Sequence, residues 1–209
     1  MNQMKELKFN IGKHLPGGLA HWGDDLRSAF AFLTRLPVAA PAGADPAAIA
    51  KALRLSPVVG AFTGAIAGSL YWLGLVIGLS PFLSGLLSVL TAMLVSGALH
   101  EIALCNTAEG FGGGWSRQPP LDTDRHGPIG AFGALALLFS VLLRSGAIAE
   151  LSHPGRVFAA LVAAGALAQG AMYISMALSP GARVHGINAV AGRPQTEHAM
   201  MAAAIALLI

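Results

Sequence analysis

Charge is scarce in this sequence. Only 11% of its 209 residues are Asp, Glu, Lys or Arg, less than half the roughly 25% of an ordinary soluble domain. A water-soluble helical protein needs polar faces on its helices, and most of the long apolar stretches here have none. That excludes a soluble class. Cysteine occurs once, at Cys105, which rules out an internal disulfide and a cysteine-rich metal site. The position reads as a small residue near a helix end. No basic run with interleaved aromatics occurs and the net charge is only +3, so nucleic-acid binding is not expected. Residues 1–20 lack the continuous apolar core and small-residue cleavage site of a signal peptide.

What the chain has instead is apolar surface and small residues. Hydrophobic residues make up 55% of it and glycine occurs 26 times, with a mean hydropathy of +0.64. Small residues let helix backbones approach closely in lipid. The expected fold is all-α: a polytopic membrane helix bundle forming one membrane-embedded domain over 1–209.

Four stretches reach the roughly 20 residues needed to cross a bilayer: Pro57–Leu79, Pro81–Leu104, Pro128–Leu151 and Arg156–Leu178. Three begin with a proline, which a helix tolerates in its first turn. A fifth begins near His198 and reaches Ile209, too short to cross, so it is expected to be incomplete and the chain a fragment. Ahead of the first span, "DDLRSAFAFLTRLPV" (Asp24–Val38) reads as an amphipathic helix. Phe30, Phe32, Leu33 and Leu36 form its apolar side, and Arg27 and Arg35 face the headgroups. It lies in the membrane interface or packs on the bundle. "AAPAGADPAA" after it is a linker by composition.

Basic residues set the orientation. The first 56 residues hold seven: Lys5, Lys8, Lys13, Arg27, Arg35, Lys51 and Arg54. The turn after the first span holds none and the short third turn only Arg156, whereas 105–127 carries Arg117 and Arg125, and the segment after Leu178 carries Arg183 and Arg193. This makes 1–56 a cytoplasmic or interfacial segment and 105–127 and 179–197 cytoplasmic loops. Arg144, inside the third span, either snorkels to the outer interface or serves the bundle interior.

The chemistry-bearing residues cluster where the second span ends, in "HEIALCNTAEGFGGGW" (His100–Trp115). Asn106 and Glu109 are three apart and share a helix face, with Ile102 one turn earlier. Oxygen ligands so spaced suit Mg²⁺, which takes one or two carboxylates and completes its shell with water and phosphate oxygens. The plain alternative is that polar residues appear where a membrane helix meets water. His100-Glu101 does not begin a zinc motif, because residue 104 is Leu. Gly112, Gly113 and Gly114 form a turn able to bring backbone N–H groups to an anion, or a plain loop. "LDTDRHGPIGAFG" then supplies Asp122, Asp124, Arg125 and His126, with Gly127, Gly130 and Gly133 permitting close helix approach. In the last loop, Arg183 and Arg193 grip a phosphate or simply follow the positive-inside rule.

The series resembles cobalamin synthase, the adenosylcobinamide-GDP ribazoletransferase family of bacterial membrane enzymes, along nearly the whole chain. "AFLTRLPV" is similar to the family's N-terminal signature and "LSPVVGAFTGAIAG" to the start of its first span. "SGALHEIALCNTAEGFGGGW" falls at its His-x-Asp-Gly-Leu-Ala-Asp-x-x-Asp-Gly motif, and "GARVHGINAVAGRP" resembles its late loop. His100, Gly110 and Arg193 are retained. The three motif aspartates fall on Ile102, Asn106 and Glu109, His126 stands where an aspartate is expected, Gln169 replaces an arginine and His185 an aspartate.

The resemblance implies a Mg²⁺-dependent displacement at phosphorus, in which α-ribazole attacks adenosylcobinamide-GDP and GMP leaves. It implies His100, His126 and Asp124 as catalytic residues. Gly112, Gly113 and Arg193 would meet the phosphate-bearing substrate, and Asn106, Glu109 and Glu101 the metal. Ile102 cannot ligate a metal and Asn106 brings oxygen without charge, so catalysis impaired in this chain is one expectation. Another is a non-catalytic membrane component that binds corrinoid or a partner protein. The lipid bilayer is a partner in either case, a second copy of the chain an admissible one, and the bacterial inner membrane the expected location. A transporter would ordinarily have midplane polar residues and inverted repeats; only Gln169 and Arg144 speak for that.

Overall fold

A computed structural model describes residues 19–39, 46–112, 129–178 and 194–209. Among these, every regular element is helical. The order is α1 (Leu19–Leu33), α2 (Pro46–Ala52) with a 3-10 turn (Leu53–Leu55), α3 (Ser56–Val76), α4 (Pro81–Ser96), α5 (Leu99–Gly112), α6 (Ala131–Glu150), α7 (Pro154–Leu178) and α8 (Thr196–Leu208). The stretch Pro46–Val76, α6 and α7 are each long and apolar enough to cross a membrane, and α4 with α5 makes a fourth if the bent pair is one span. The all-α polytopic bundle expected from composition is the fold observed. α8, with 13 residues, is the short fifth.

The bundle is built on the contact between α3 and α7. A Cβ on Gly60 would stand 2.1 Å from the carbonyl oxygen of Gly165, and one on Gly64 2.1 Å from that of Leu161. Only glycine lets the two backbones touch there. Pro57 sits in the first turn of α3 and Pro81 in that of α4, where the Ser80 hydroxyl also accepts the Leu83 N–H at 3.3 Å. Both prolines open helices as their missing N–H allows.

The N-terminal helix differs from its expected bounds. It starts at Leu19 and stops at Leu33, because Pro37 disfavours helical backbone at Leu36 and the Arg35 N–H turns to the Val95 carbonyl at 2.8 Å. Of its two expected places, packing on the bundle is observed: Ala29 and Leu33 are buried with Leu53, Val59, Tyr173 and Ala202. Asp25 pairs with the buried Arg54 at 2.8 Å, whose guanidinium also lies 4.6 Å from the centre of the Trp22 ring. Tyr173 donates its hydroxyl to the Ala50 carbonyl at 2.5 Å.

The second span is not one straight helix. α4 and α5 meet at a bend of 95°. Gly97 (φ 66°) and Ala98 (φ 55°) are both left-handed, and their N–H groups bond back to Leu94 and Met93. This Schellman closure ends the helix and satisfies carbonyls that would otherwise be orphaned. Holding Ala98 left-handed costs about 1–2 kcal/mol.

Two loop boundaries are corrected as well. The segment 105–127, expected to be a loop throughout, is helical as far as Gly112. Gly112 is tolerated there because the Phe132 ring fills the space a side chain would take, with Cγ 2.2 Å from its Cβ position. The segment 179–197 gives way to helix at Thr196.

Candidate functional site

α5 carries five of the nine predicted site residues, His100, Glu101, Asn106, Glu109 and Gly112, and it runs antiparallel along α6. Near the start of α6, the Glu109 carboxylate accepts the Gly133 N–H at 2.6 Å. Three turns on, Glu101 pairs with Arg144 at 3.1 Å. Between them Cys105 is buried, its thiol against the Gly133 carbonyl at 3.5 Å. Glycines at 130 and 133 make this approach possible: a Cβ at Gly130 would stand 2.4 Å from a Glu109 oxygen.

Of the two places open to Arg144, the structure gives the pair with a neighbouring helix. The pair is lopsided. Glu101's side chain is 8% exposed and Arg144's 43%, and the second oxygen of Glu101 is buried without a partner among the described residues. An ion pair with one wet partner stabilises little by itself, but the buried carboxylate depends on it.

His100 occupies the first turn of α5 and faces another way. Its Nε2 lies 2.9 Å from Nε2 of Gln169 on α7, and the Ser56 hydroxyl donates to the Gln169 backbone carbonyl at 3.1 Å. Gln169 Oε1 is buried with no partner among the described residues. Either the Gln169 amide donates to the His100 Nε2, or, turned over, its Oε1 accepts the Nε2–H and leaves Nδ1 a free lone pair, with the NH2 then in the buried unpartnered position. The helix break thus presents an imidazole held on one side and free on the other.

Two of the expected metal ligands, Glu101 and Glu109, do not come together. Glu101 and Glu109 are eight residues apart, roughly 12 Å along the helix, and each is engaged with α6 by a different group. Asn106 and Ile102 are exposed on α5. No group of three His, Cys, Asp or Glu able to hold a metal occurs among the described residues. These donors do not by themselves fit a Mg²⁺ cage. Gly112 lies against Phe132. His126, Asp124, Gly113 and Arg193 lie outside the described residues. A cavity of about 420 Å³ opens elsewhere, lined by Ala47, Ala48, Ala50, Lys51, Gln195 and His198, away from α5.

Sequence reading passed over two residues at this place. Ser56, unremarked beside Pro57, bonds to Gln169 across 113 positions. Arg35 looked like a headgroup contact, and it lies across Gly97 at the break.

Fold and contacts define a multi-pass helical membrane protein with a polar cluster where a broken helix meets its neighbours. The chain belongs to the cobalamin-5-phosphate synthase family, whose description it matches over residues 25–209. It is 39% identical over 185 residues to the adenosylcobinamide-GDP ribazoletransferase of Bradyrhizobium diazoefficiens, covering 88% of this chain and 71% of the relative. To the protein of the same name from Azorhizobium caulinodans it is 38% identical over 191 residues, 88% and 72% of the two chains. No solved structure matches it.

Proposed function

We propose that this chain is a transferase of cobalamin biosynthesis that joins α-ribazole, or its phosphate, to adenosylcobinamide-GDP and releases GMP. The reading is carried by the family match over 25–209 and by the name its curated relatives bear. Its proposed place is the cytoplasmic face of the bacterial inner membrane.

In such a transfer a ribose hydroxyl oxygen forms a new bond to phosphorus, the anhydride bond breaks, and GMP leaves with the bridging oxygen. The hydroxyl proton needs an acceptor. His100 suits that role, since Gln169 fixes one ring nitrogen and leaves the other to take the proton. His126 and Asp124 are the further proposed catalytic side chains, and Gly112, Gly113 and Arg193 the proposed phosphate contacts. Mg²⁺ is the proposed cofactor, supplying charge neutralisation on the phosphates. It would arrive largely on the substrate, because Glu101 and Glu109 are engaged with α6.

A second reading rests on the same engagement. With Ile102 and Asn106 at two motif positions and both glutamates occupied, the chain would bind corrinoid without turning it over. The deciding experiment incubates the detergent-purified chain with adenosylcobinamide-GDP and α-ribazole, with and without Mg²⁺, and follows cobalamin and GMP. Product from the wild type, lowered about 100-fold or more in His100→Gln, supports the transferase. A folded preparation that binds corrinoid and forms no product overturns it in favour of the second reading.

A further inference from the structure

The break between α4 and α5 holds a cation with no partner among the described residues. Arg35 follows α1 and is fixed at its backbone, where its N–H donates to the Val95 carbonyl at 2.8 Å. Its stem then crosses the face of Gly97: a Cβ there would stand 2.4 Å from Nε, 2.7 Å from Cγ and 3.0 Å from Cδ. Glycine is needed at 97 twice over, for its positive φ and for this crossing.

The guanidinium has no hydrogen bond or ion pair among the described residues. The acids that pair with arginine elsewhere are taken, Asp25 by Arg54 and Glu101 by Arg144. The nearby carbonyls at the end of α4 are taken too: Met93 by Ala98 N–H, Leu94 by Gly97 N–H and Val95 by the backbone of Arg35 itself. The side chain is exposed, and three residues after Gly97 comes His100. A guanidinium held at its stem with its planar fork of donors free matches a phosphate oxyanion.

We propose that Arg35 binds a phosphate group at the helix break, beside His100. In the transferase reading, on which this rests, that group belongs to the diphosphate of the corrinoid substrate. A phospholipid headgroup offers the same chemistry, and the two sources separate by experiment. A fixed positive charge here also suits a chain in which two motif carboxylates have become Ile102 and Asn106, because it meets the phosphate directly.

The test uses the full chain in non-ionic detergent free of phospholipid, titrated with GDP and, separately, placed in nanodiscs with or without phosphatidylglycerol. Arg35→Gln is expected to weaken GDP binding at least tenfold, and Arg35→Lys less. Arg156→Gln, an exposed arginine at the start of α7, is expected to leave it unchanged. Arg35→Met keeps the apolar stem on Gly97, and an unchanged unfolding temperature shows that its loss of binding is not loss of fold. Gly97→Ala, which displaces the side chain and keeps its charge, is expected to weaken GDP as well. Arg35-dependent binding of phosphatidylglycerol with no binding of GDP assigns the site to a headgroup and removes the substrate role. Equal GDP affinity in the wild type and Arg35→Gln overturns the proposal, as does a wild type that binds neither anion. Turnover with an unchanged KM for the corrinoid in Arg35→Gln sinks Arg35 and spares the transferase. GDP binding that needs Arg35 in a chain with no turnover does the reverse.

Discussion

Glu109 caps a helix it does not belong to: from α5 its carboxylate receives the Gly133 N–H of α6 at 2.6 Å. The first turn of a helix leaves its N–H groups without carbonyl partners, and a negative charge is favoured there. Removing such a cap costs about 1 kcal/mol. Glu109→Ala is expected to lose that much stability, measured by thermal unfolding in detergent, and Glu109→Gln to lose less. Gly130→Ala, whose methyl would collide with the same carboxylate, is expected to cost a similar amount. The double variant should cost little more than either single one.

Arg144 and Glu101 make a second hold on α6. Arg144→Gln strands the buried carboxylate and is expected to destabilise by about 1–3 kcal/mol. Replacing Glu101 by Gln in the same chain should recover much of the loss. A double-mutant cycle reads the coupling directly; strict additivity would mean the pair contributes nothing.

Two glycines should answer oppositely to alanine. At Gly60 the methyl would meet the Gly165 carbonyl carbon and oxygen and drive α3 from α7, costing about 1–3 kcal/mol as overpacking does. At Gly23, inside α1, nothing stands within 4 Å of the added carbon. There alanine is expected to stabilise by about 0.5–1 kcal/mol through helix propensity. Unfolding temperatures of the two variants check both signs.

His198 gives the fold a pH dependence. Burial lowers its pKa, and the positive charges of Arg54 and Lys51 lower it further against the opposing pull of Glu197 and Asp25. Its Nδ1 is buried without a partner among the described residues. The folded chain therefore resists a proton that the unfolded imidazole accepts near 6.5. Stability is full above that value and declines as pH falls below it, where the unfolded state binds more protons. Unfolding temperature should drop between about pH 7.5 and about pH 5.5, and His198→Gln should flatten that slope.

Placing two carboxylates on α5 tests the proposed metal chemistry. Ile102 and Asn106 lie one turn apart and exposed on α5. Ile102→Asp with Asn106→Asp adds ligand charge, which governs divalent affinity. The Mg²⁺ concentration for half-maximal GMP release is expected to fall about tenfold. An unchanged requirement would place the metal away from this face.

The spans were readable in the sequence because long uncharged runs permit few other structures, and Pro57, Pro81 and the start of α7 punctuated them close to where the helices begin. The break at Gly97 was not. Glycine and alanine are commonplace inside apolar helices, and nothing local distinguishes a pair that turns left-handed from a pair that packs. The site was legible in part. The sequence singled out His100, Glu101 and Glu109 along with Asn106, but the work of those three depends on residues far along the chain: Gln169, Arg144 and Gly133. Hydrophobic period carries no record of such partners. Arg35 was hidden for a different reason, since a basic residue after an amphipathic helix has an ordinary explanation at a membrane surface.

The bond from Tyr173 to the Ala50 carbonyl joins residues 123 apart. A ribosome adding about 5–20 residues per second reaches Tyr173 roughly 6–25 s after Ala50. Until then α2 lacks the donor that fixes it and α3 lacks the glycine face it packs against. The N-terminal third must therefore be inserted as provisional structure, shielded by lipid or by the insertion machinery, and is completed only when α7 enters the bilayer beside it.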